Sequence, residues 1–515
     1  MFRLAKPVRG GIMRLVFSRF LIIVLLLVLQ VGILATLYGW LKEYIPHFTV
    51  AIGVFTIVMV IYLFNSPMDP AGKLTWMFLI SVVPISGAFL LLFTQANAGQ
   101  RLVRKRAALM VEETRHALAQ PPVVLPRLEK DGSGTDDLNR YLNRSGCFPV
   151  YADTESRYFP GGEEMLDAIL AELEKAERYI FLEFFILQEG YMWGKVLEIL
   201  TRKVREGVDV RVMYDGMCEM KQLPFGYAKL LRGYGIRAKA FSPIRPVVSS
   251  HYNYRDHRKI LVIDGTTAFT GGVNLSDEYI NRVELFGRWK DAGLMVRGGA
   301  ARSFSLMFQQ MWNIDEKEPT WILEKEDAPA EHPSGYVMPF ADSPLDSDKV
   351  GESVYMDILY RATDYVHIMT PYLILDGELE TALRYAAQRG VDVKLILPGI
   401  PDKKLAYALA KSHYRSLLEA GVKIYEFTPG FVHAKVFTSD DQKAVVGTIN
   451  LDYRSLYHHF ECAAYLYRTD SVRDAEVDFQ NTLVQCRAVT EESIRHEKPF
   501  YKVTGRLMKF VAPLM

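Results

Sequence analysis

The sequence predicts an α/β fold built from two similar halves behind an apolar, helical N-terminal region. One observation is a polar signature written twice, 176 residues apart: His257, Lys259, Asp264 and Asn274, then His433, Lys435, Asp440 and Asn450. In both copies His to Lys is two residues, His to Asp seven and His to Asn seventeen. A second is that the stretch ahead of each copy repeats as well: Arg205-Glu206-Gly207-Val208-Asp209-Val210-Arg211 is echoed by Gln388-Arg389-Gly390-Val391-Asp392-Val393-Lys394. Each reads as a helix end, a glycine and a β-branched strand. Gly235-Ile236-Arg237 is echoed in the same way by Gly421-Val422-Lys423. The third is the concentration of long apolar runs before residue 94.

In chain order, residues 20–41, 48–64 and 74–93 are apolar runs, near the roughly 20 residues a membrane-spanning helix needs. The third carries Ser81, Pro84, Ser86 and Gly87 and is expected to kink. The first is followed by Trp40 and Lys42 rather than by a small-residue cleavage site, which favours an uncleaved, multi-pass anchor over a signal peptide. Residues 1–106 are therefore expected to be a membrane anchor with two to three transmembrane helices. Arg3, Lys6, Arg9, Arg14 and Arg19 precede the first run, and Arg101, Arg104, Lys105 and Arg106 follow the third. Positive-inside reasoning draws both clusters to the cytoplasm, which three full spans cannot satisfy. The reading leans to a cytoplasmic catalytic region, with one run re-entrant or interfacial.

Residues 107–147 read as a short helix followed by a linker, punctuated by Pro121-Pro122, Pro126 and Asp131-Gly132-Ser133-Gly134. Residues 148–325 and 335–488 then form the two α/β halves, each of a length that suits an independently packed unit. A tail, 489–515, is polar and ends Phe510-Val511-Ala512-Pro513-Leu514-Met515, a candidate for return to the lipid surface. Cys147, Cys218, Cys462 and Cys486 show no paired or metal-like spacing and are expected to be thiols.

Charge separates classes of partner. Residues 1–106 hold 11 Lys+Arg and 2 Asp+Glu, net +9, and the total of +1 leaves −8 for the remainder. A domain that grips a polyanion along its length is basic, so nucleic acid is not expected as a partner. The basic stretch beside the apolar runs suits an anionic leaflet.

The signature residues suit attack on a phosphodiester. His and Lys two apart in a strand share a face, so each copy aims an imidazole and an ammonium at one place. One imidazole can attack phosphorus while the other protonates the leaving alkoxide. The ammoniums of Lys259 and Lys435 and the amides of Asn274 and Asn450 can bind the non-bridging oxygens as charge builds. This chemistry asks for no metal and no cofactor. Asp264 and Asp440 complete the signature and are counted with its catalytic set, although stabilising the loops suits them better than touching substrate. The adjacent pair His458-His459 is expected to be solvated or packed rather than metal-binding, because neighbouring strand residues face opposite ways.

These paired motifs resemble those of the phospholipase D superfamily. The flanking stretches, Tyr179-Ile180-Phe181-Leu182-Glu183-Phe184-Phe185-Ile186, Asn253-Tyr254-Arg255-Asp256-His257 and Gly447-Thr448-Ile449-Asn450-Leu451-Asp452-Tyr453-Arg454-Ser455, are similar to its bacterial cardiolipin synthase branch. The resemblance covers roughly everything from Phe48 onward. It implies two phospholipase D-like halves sharing one active site at a pseudo-twofold interface, and an acid orienting each histidine, at Asp291 and Glu461. Where the family commonly has Asn before its Phe-Glu pair, this chain has His459. The implied activity is phosphatidyl transfer between two phosphatidylglycerol molecules, giving cardiolipin and glycerol through a phosphohistidine, with His257 as nucleophile and His433 as acid/base. The implied setting is the cell membrane. A phospholipase D hydrolase, a transphosphatidylase using another headgroup, a membrane-tethered nuclease and a lipid-binding scaffold are the alternatives. Oligomeric state is not legible.

Overall fold

The computed structural model describes residues 25, 28–36, 45–95, 98–243, 254–323 and 330–514. They divide into an N-terminal unit that ends at Asn97 and a large unit from Ala98 to Pro513. The basic cluster Arg3 to Arg19 and most of the first apolar run lie outside the described residues. The second run belongs to one helix, Ile45–Phe64. The third is split into Pro70–Val82 and Pro84–Gln95: Val83 leaves the helical region at φ −133° and ψ 73°, because the ring of Pro84 excludes the α conformation from the residue before it. Asp69 caps the first of these pieces by accepting from the backbone N–H of Ala71 and Gly72. Leu63, Trp76, Ile80 and Leu91 form the buried centre of this unit. Among the described residues no helix is long and apolar enough to cross a membrane.

In the large unit the first half contributes β1 (Thr154–Phe159), β2 (Tyr179–Phe184), β3 (Asp209–Asp215), β4 (Arg237–Phe241), β5 (Arg255–Asp256), β6 (Lys259–Ile263), β7 (Thr267–Gly271), β8 (Arg288–Lys290) and β9 (Gly293–Gly298). The second contributes β10 (Tyr336–Asp342), β11 (Tyr365–Met369), β12 (Asp392–Pro398), β13 (Lys423–Phe427), β14 (Gly430–Val432), β15 (Val436–Ser439), β16 (Lys443–Gly447), β17 (His459–Tyr467) and β18 (Cys486–Ala488). The first sheet runs β1-β9-β7-β6-β2-β3-β4, and the second runs β10-β17-β16-β15-β11-β12-β13-β18 in the corresponding order. The repeated segments are the helix-to-strand turns that feed β3 and β12, with Gly207 at φ +95° and Gly390 at φ +97°, a conformation other residues adopt at a cost.

Three short strands leave their home sheets. β5 pairs in parallel with β17, setting Arg255 opposite His459 and Asp256 opposite Phe460. β14 pairs in parallel with β8, setting Val432 opposite Lys290. Side chains alternate across the first sheet: Phe181, Ile260 and Val262 enter a core shared with Phe340, Ile368 and Val445 of the second half, while Ile180, Leu182 and Leu261 enter a separate core beneath the helix Tyr191–Arg205.

Where the sequence reads as a Pro- and Gly-punctuated linker, the chain forms two short helices, Leu125–Asp131 and Thr135–Gly146. Pro126 lies in a first turn, where its missing N–H costs nothing. Gly132 and Gly134 take positive φ between the helices, and Leu128, Leu138 and Leu142 are buried in the shared core. The punctuation is thus turn chemistry inside a packed region. The tail is also ordered, as helices Glu491–Arg495 and Pro499–Val511.

Candidate active site

The two exchanged strands deliver each signature histidine to the opposite half. After β5 the backbone N–H of His257 donates to the Phe460 carbonyl at 2.9 Å, and after β14 that of His433 donates to the Lys290 carbonyl at 2.7 Å. Each imidazole then meets the acid that directly follows the residue whose carbonyl its backbone has joined: His257 Nδ1 lies 2.9 Å from Glu461 Oε1, and His433 Nδ1 lies 2.7 Å from Asp291 Oδ2. Both acids are fully buried. A carboxyl oxygen that accepts from Nδ1 fixes the proton there and leaves Nε2 with its lone pair outward. The expected acid behind each histidine is therefore present, and it comes from the other half.

His257 and Lys259 do not share one strand, as the two-residue spacing suggests; nor do His433 and Lys435. The chain crosses from one sheet to the other at these positions, and β6 starts only at Lys259. Each lysine still folds back onto its histidine: Lys259 Nζ donates to the His257 backbone carbonyl at 2.6 Å, and Lys435 Nζ to that of His433.

Burial dominates the electrostatics. It brings Lys259 down to about 8 and, with repulsion from Lys259, Lys435 down to about 7. Burial and the neighbouring cations Lys259 and Lys435 hold His257 well below the usual histidine range. His433 is brought by burial and Lys435 to about 4, with Asp291 opposing. The two acids diverge. Burial pushes Glu461 well above the usual carboxylate range, whereas for Asp291 burial is outweighed by His433 and Lys435, which hold it below that range. Such a site is a ready acceptor for an anion, whose negative charge would favour the protonated lysines and imidazoles.

Asn274 and Asn450 are both buried. Asn274 Oδ1 accepts from the Ile186 N–H at 2.9 Å, and its Nδ2 donates to the Tyr279 hydroxyl at 2.7 Å. Asn450 Oδ1 has no hydrogen-bond partner among the described residues. Asp264 and Asp440 must be removed from the catalytic set. Asp264 accepts from the backbone N–H of Glu177, Arg178 and Tyr179, each at 2.8 Å. Asp440 accepts from those of Thr363, Asp364 and Tyr365, each at 2.9 Å. Each sits in the hairpin turn at φ +52° or +54°, at the far end of β6 or β15 and about 16 Å along the strand from its lysine. They staple the starts of β2 and β11.

Several lining residues lie outside the repeated His-Lys-Asn signature. Phe185 meets the His257 ring edge-on at 4.8 Å, and Tyr279 meets that of His433 at 5.3 Å. Trp289 and His459 hold equivalent places, two residues before each acid, with rings 5.3 Å from His433 and 5.4 Å from His257. Aligning the two copies over Trp289-Lys290-Asp291 and His459-Phe460-Glu461 would have paired these two rings as lining residues. His459 is buried, as expected of a packed histidine, but it points at the site and its Nδ1 lacks a hydrogen-bond partner among the described residues. With His257 and Glu461 it could offer three ligand atoms to a metal, within 4.8 Å of one another; Glu352, Asp376 and Glu378 make a similar group elsewhere.

The family model for the cardiolipin synthase phospholipase D-like domain matches residues 169–312 and 355–483, a span that contains both histidines, both lysines and both acids. The chain belongs to this family. A cardiolipin synthase of Halalkalibacterium halodurans is 32% identical over 509 residues, covering 97% of this chain and 100% of its own length. One of Geobacillus kaustophilus is 33% identical over 499 residues, covering 96% and 99%, and an uncharacterized protein of Streptococcus mutans is 54% identical over 460 residues, covering 88% and 99%. Among solved structures, a phosphatidylserine synthase of Haemophilus influenzae superposes with a TM-score of 0.56 at 16% identity, over 74% of this chain and 97% of its own, a likeness of fold.

Proposed function

We propose that this chain is a phosphatidyltransferase that makes cardiolipin and glycerol from two phosphatidylglycerol molecules. The observation that carries this reading is the crossed pairing of His257 with Glu461 and of His433 with Asp291, beside Lys259 and Lys435. Neutral His257 attacks the donor phosphorus through Nε2. The bond from phosphorus to the glycerol oxygen breaks, and His433, whose positive form Asp291 supports, protonates the departing oxygen. A phosphatidyl-His257 remains. His433, now neutral, takes the proton from a primary hydroxyl of the second phosphatidylglycerol, whose oxygen attacks phosphorus and releases His257. Lys259 and Lys435 neutralise the non-bridging oxygens in both steps, with Asn274 and Asn450 as further donors.

The enzyme works at the cell membrane in this proposal, anchored through the apolar runs before residue 94, with its catalytic unit on the cytoplasmic face beside the Arg101 to Arg106 cluster. Detergent-purified protein given phosphatidylglycerol alone, without added metal, should form cardiolipin and glycerol in equal amounts. Phosphatidic acid in place of cardiolipin would make the chain a hydrolase, and no product from any phospholipid would make it a binding protein.

A further inference from the structure

The last helix, Pro499–Val511, has two apolar faces. One is packed: Gly505 is buried so closely against the helix Lys404–Glu419 that a Cβ there would lie 2.3 Å from the Ala408 carbonyl, and Met508 and Ala512 join a small cluster with Leu409 and Ile374. The other looks outward. Phe500, Val503 and Leu507 are 55, 59 and 67% exposed, and Phe510 continues the row; the spacing of three, four and three residues makes one stripe. From Lys498 to Leu514 the segment carries Lys498, Lys502, Arg506 and Lys509 and no acid. Lys502, Arg506 and Lys509 are three or four residues apart and flank that stripe. Lys509 is partly committed, 3.6 Å from Glu380.

We infer that this helix is an interfacial membrane-binding element, laying Phe500, Val503, Leu507 and Phe510 into the headgroup boundary of a bilayer rich in anionic lipid. An outward apolar row beside a row of cations is the pattern that partitions to such a surface, and cations close to it are drawn to anionic headgroups. The opposite face ties the element rigidly to the second half, so the contact would fix the orientation of the catalytic unit on its substrate surface. The inference rests on the proposed lipid substrate for its purpose but not for its test.

The test uses the full chain reconstituted in vesicles, carrying an environment-sensitive dye on Leu507→Cys in a Cys486→Ser background, with exposed Val484→Cys as control. In vesicles containing phosphatidylglycerol the dye at 507 should shift to the blue and be quenched by brominated acyl chains, and the dye at 484 should do neither. The double change Lys502→Glu and Arg506→Glu should reduce both effects. An unshifted dye at 507 would overturn the inference, as would a shift without acyl-chain quenching, which would mean contact with another protein surface. Equal quenching in purely zwitterionic vesicles would overturn the demand for anionic lipid. Cardiolipin formation is read on the same preparation: turnover without quenching sinks this inference alone, and quenching without turnover sinks only the proposed reaction.

Discussion

In the first half the acid-bearing strand reads Trp289-Lys290-Asp291 and lies against Gly272; in the second it reads His459-Phe460-Glu461 and lies against Thr448. The differences compensate one another. A Cβ at Gly272 would lie 1.9 Å from Asp291 Oδ1 and 3.0 Å from the His433 carbonyl, so the short acid demands a glycine. In the second half the Thr448 hydroxyl donates to Glu461 Oε2 instead. Trp289 Nε1 reaches Asp291 Oδ2 at 3.4 Å, whereas His459 Nδ1 stands 3.8 Å from Glu461 Oε1, with no hydrogen bond among the described residues. One frame thus supports two chemistries: a carboxylate that stays charged behind His433, and a buried acid pushed toward its neutral form behind His257. The repeat conserves strand order more strictly than it conserves electrostatics.

The sharpest way to break this comparison is to remove the histidines one at a time. His257→Ala and His433→Ala should each lower cardiolipin formation by about 1000-fold or more, but they should differ in what accumulates. With a donor whose leaving group needs no protonation, His433→Ala quenched in denaturing detergent at neutral pH should retain a covalent phosphatidyl label and His257→Ala none. Label on the His257→Ala protein would reverse the assigned roles.

The acids come next. Asp291→Asn removes a charge that supports imidazolium, and kcat should fall by about 100-fold. Glu461→Gln replaces a group already driven toward neutrality and should cost about tenfold or less. Equal losses, or the reverse order, would erase the distinction between the halves.

The lysines give a pH limb of intermediate size. Each is cationic below its own value and neutral above it, so kcat/KM should decline as pH rises through about 7 to 8, the window set by the empty enzyme. A profile that stays flat or climbs there, measured with a short-chain donor, would remove the lysines from phosphate binding.

The smallest effect on rate belongs to the two hairpin aspartates. Asp440→Asn should lower stability by about 2 kcal/mol through three weakened backbone contacts, leaving kcat within a few-fold of the parent. The three N–H groups hold the Asp440 carboxyl below its usual range despite burial. Its contribution is therefore complete above about pH 4 and is lost as pH falls below that. Thermal unfolding of both proteins should converge in acid, and a gap that widens instead would contradict the staple.

Much of this was legible in the chain. The spacing of His257, Lys259 and Asn274 and its copy announced two halves, and Gly207 and Gly390 marked the same turn in each. Pro84 announced the break in the third apolar run. What could not be read was pairing between distant segments. Nothing in Arg255-Asp256 says that it will join β17 rather than its home sheet, because a two-residue strand carries no register of its own. The exchange of acids follows from that pairing. Asp264 and Asp440 keep the same spacing as the reacting groups, and spacing alone does not say which end of a hairpin a residue occupies. Pro121 to Gly134 looked like a linker because turn residues read alike whether the helices between them are packed or solvated.

The crossing of β5 and β14 has a consequence for how this fold can arise and fail. A twofold axis that sends each imidazole to the other half's carboxylate would operate equally well between two separate, identical chains, so a single-repeat ancestor could have assembled the same centre as a homodimer. In the fused chain the exchange makes the two imidazoles hostage to one interface: a substitution that loosens it strips both of their proton anchors together, and neither half can retain a working histidine alone.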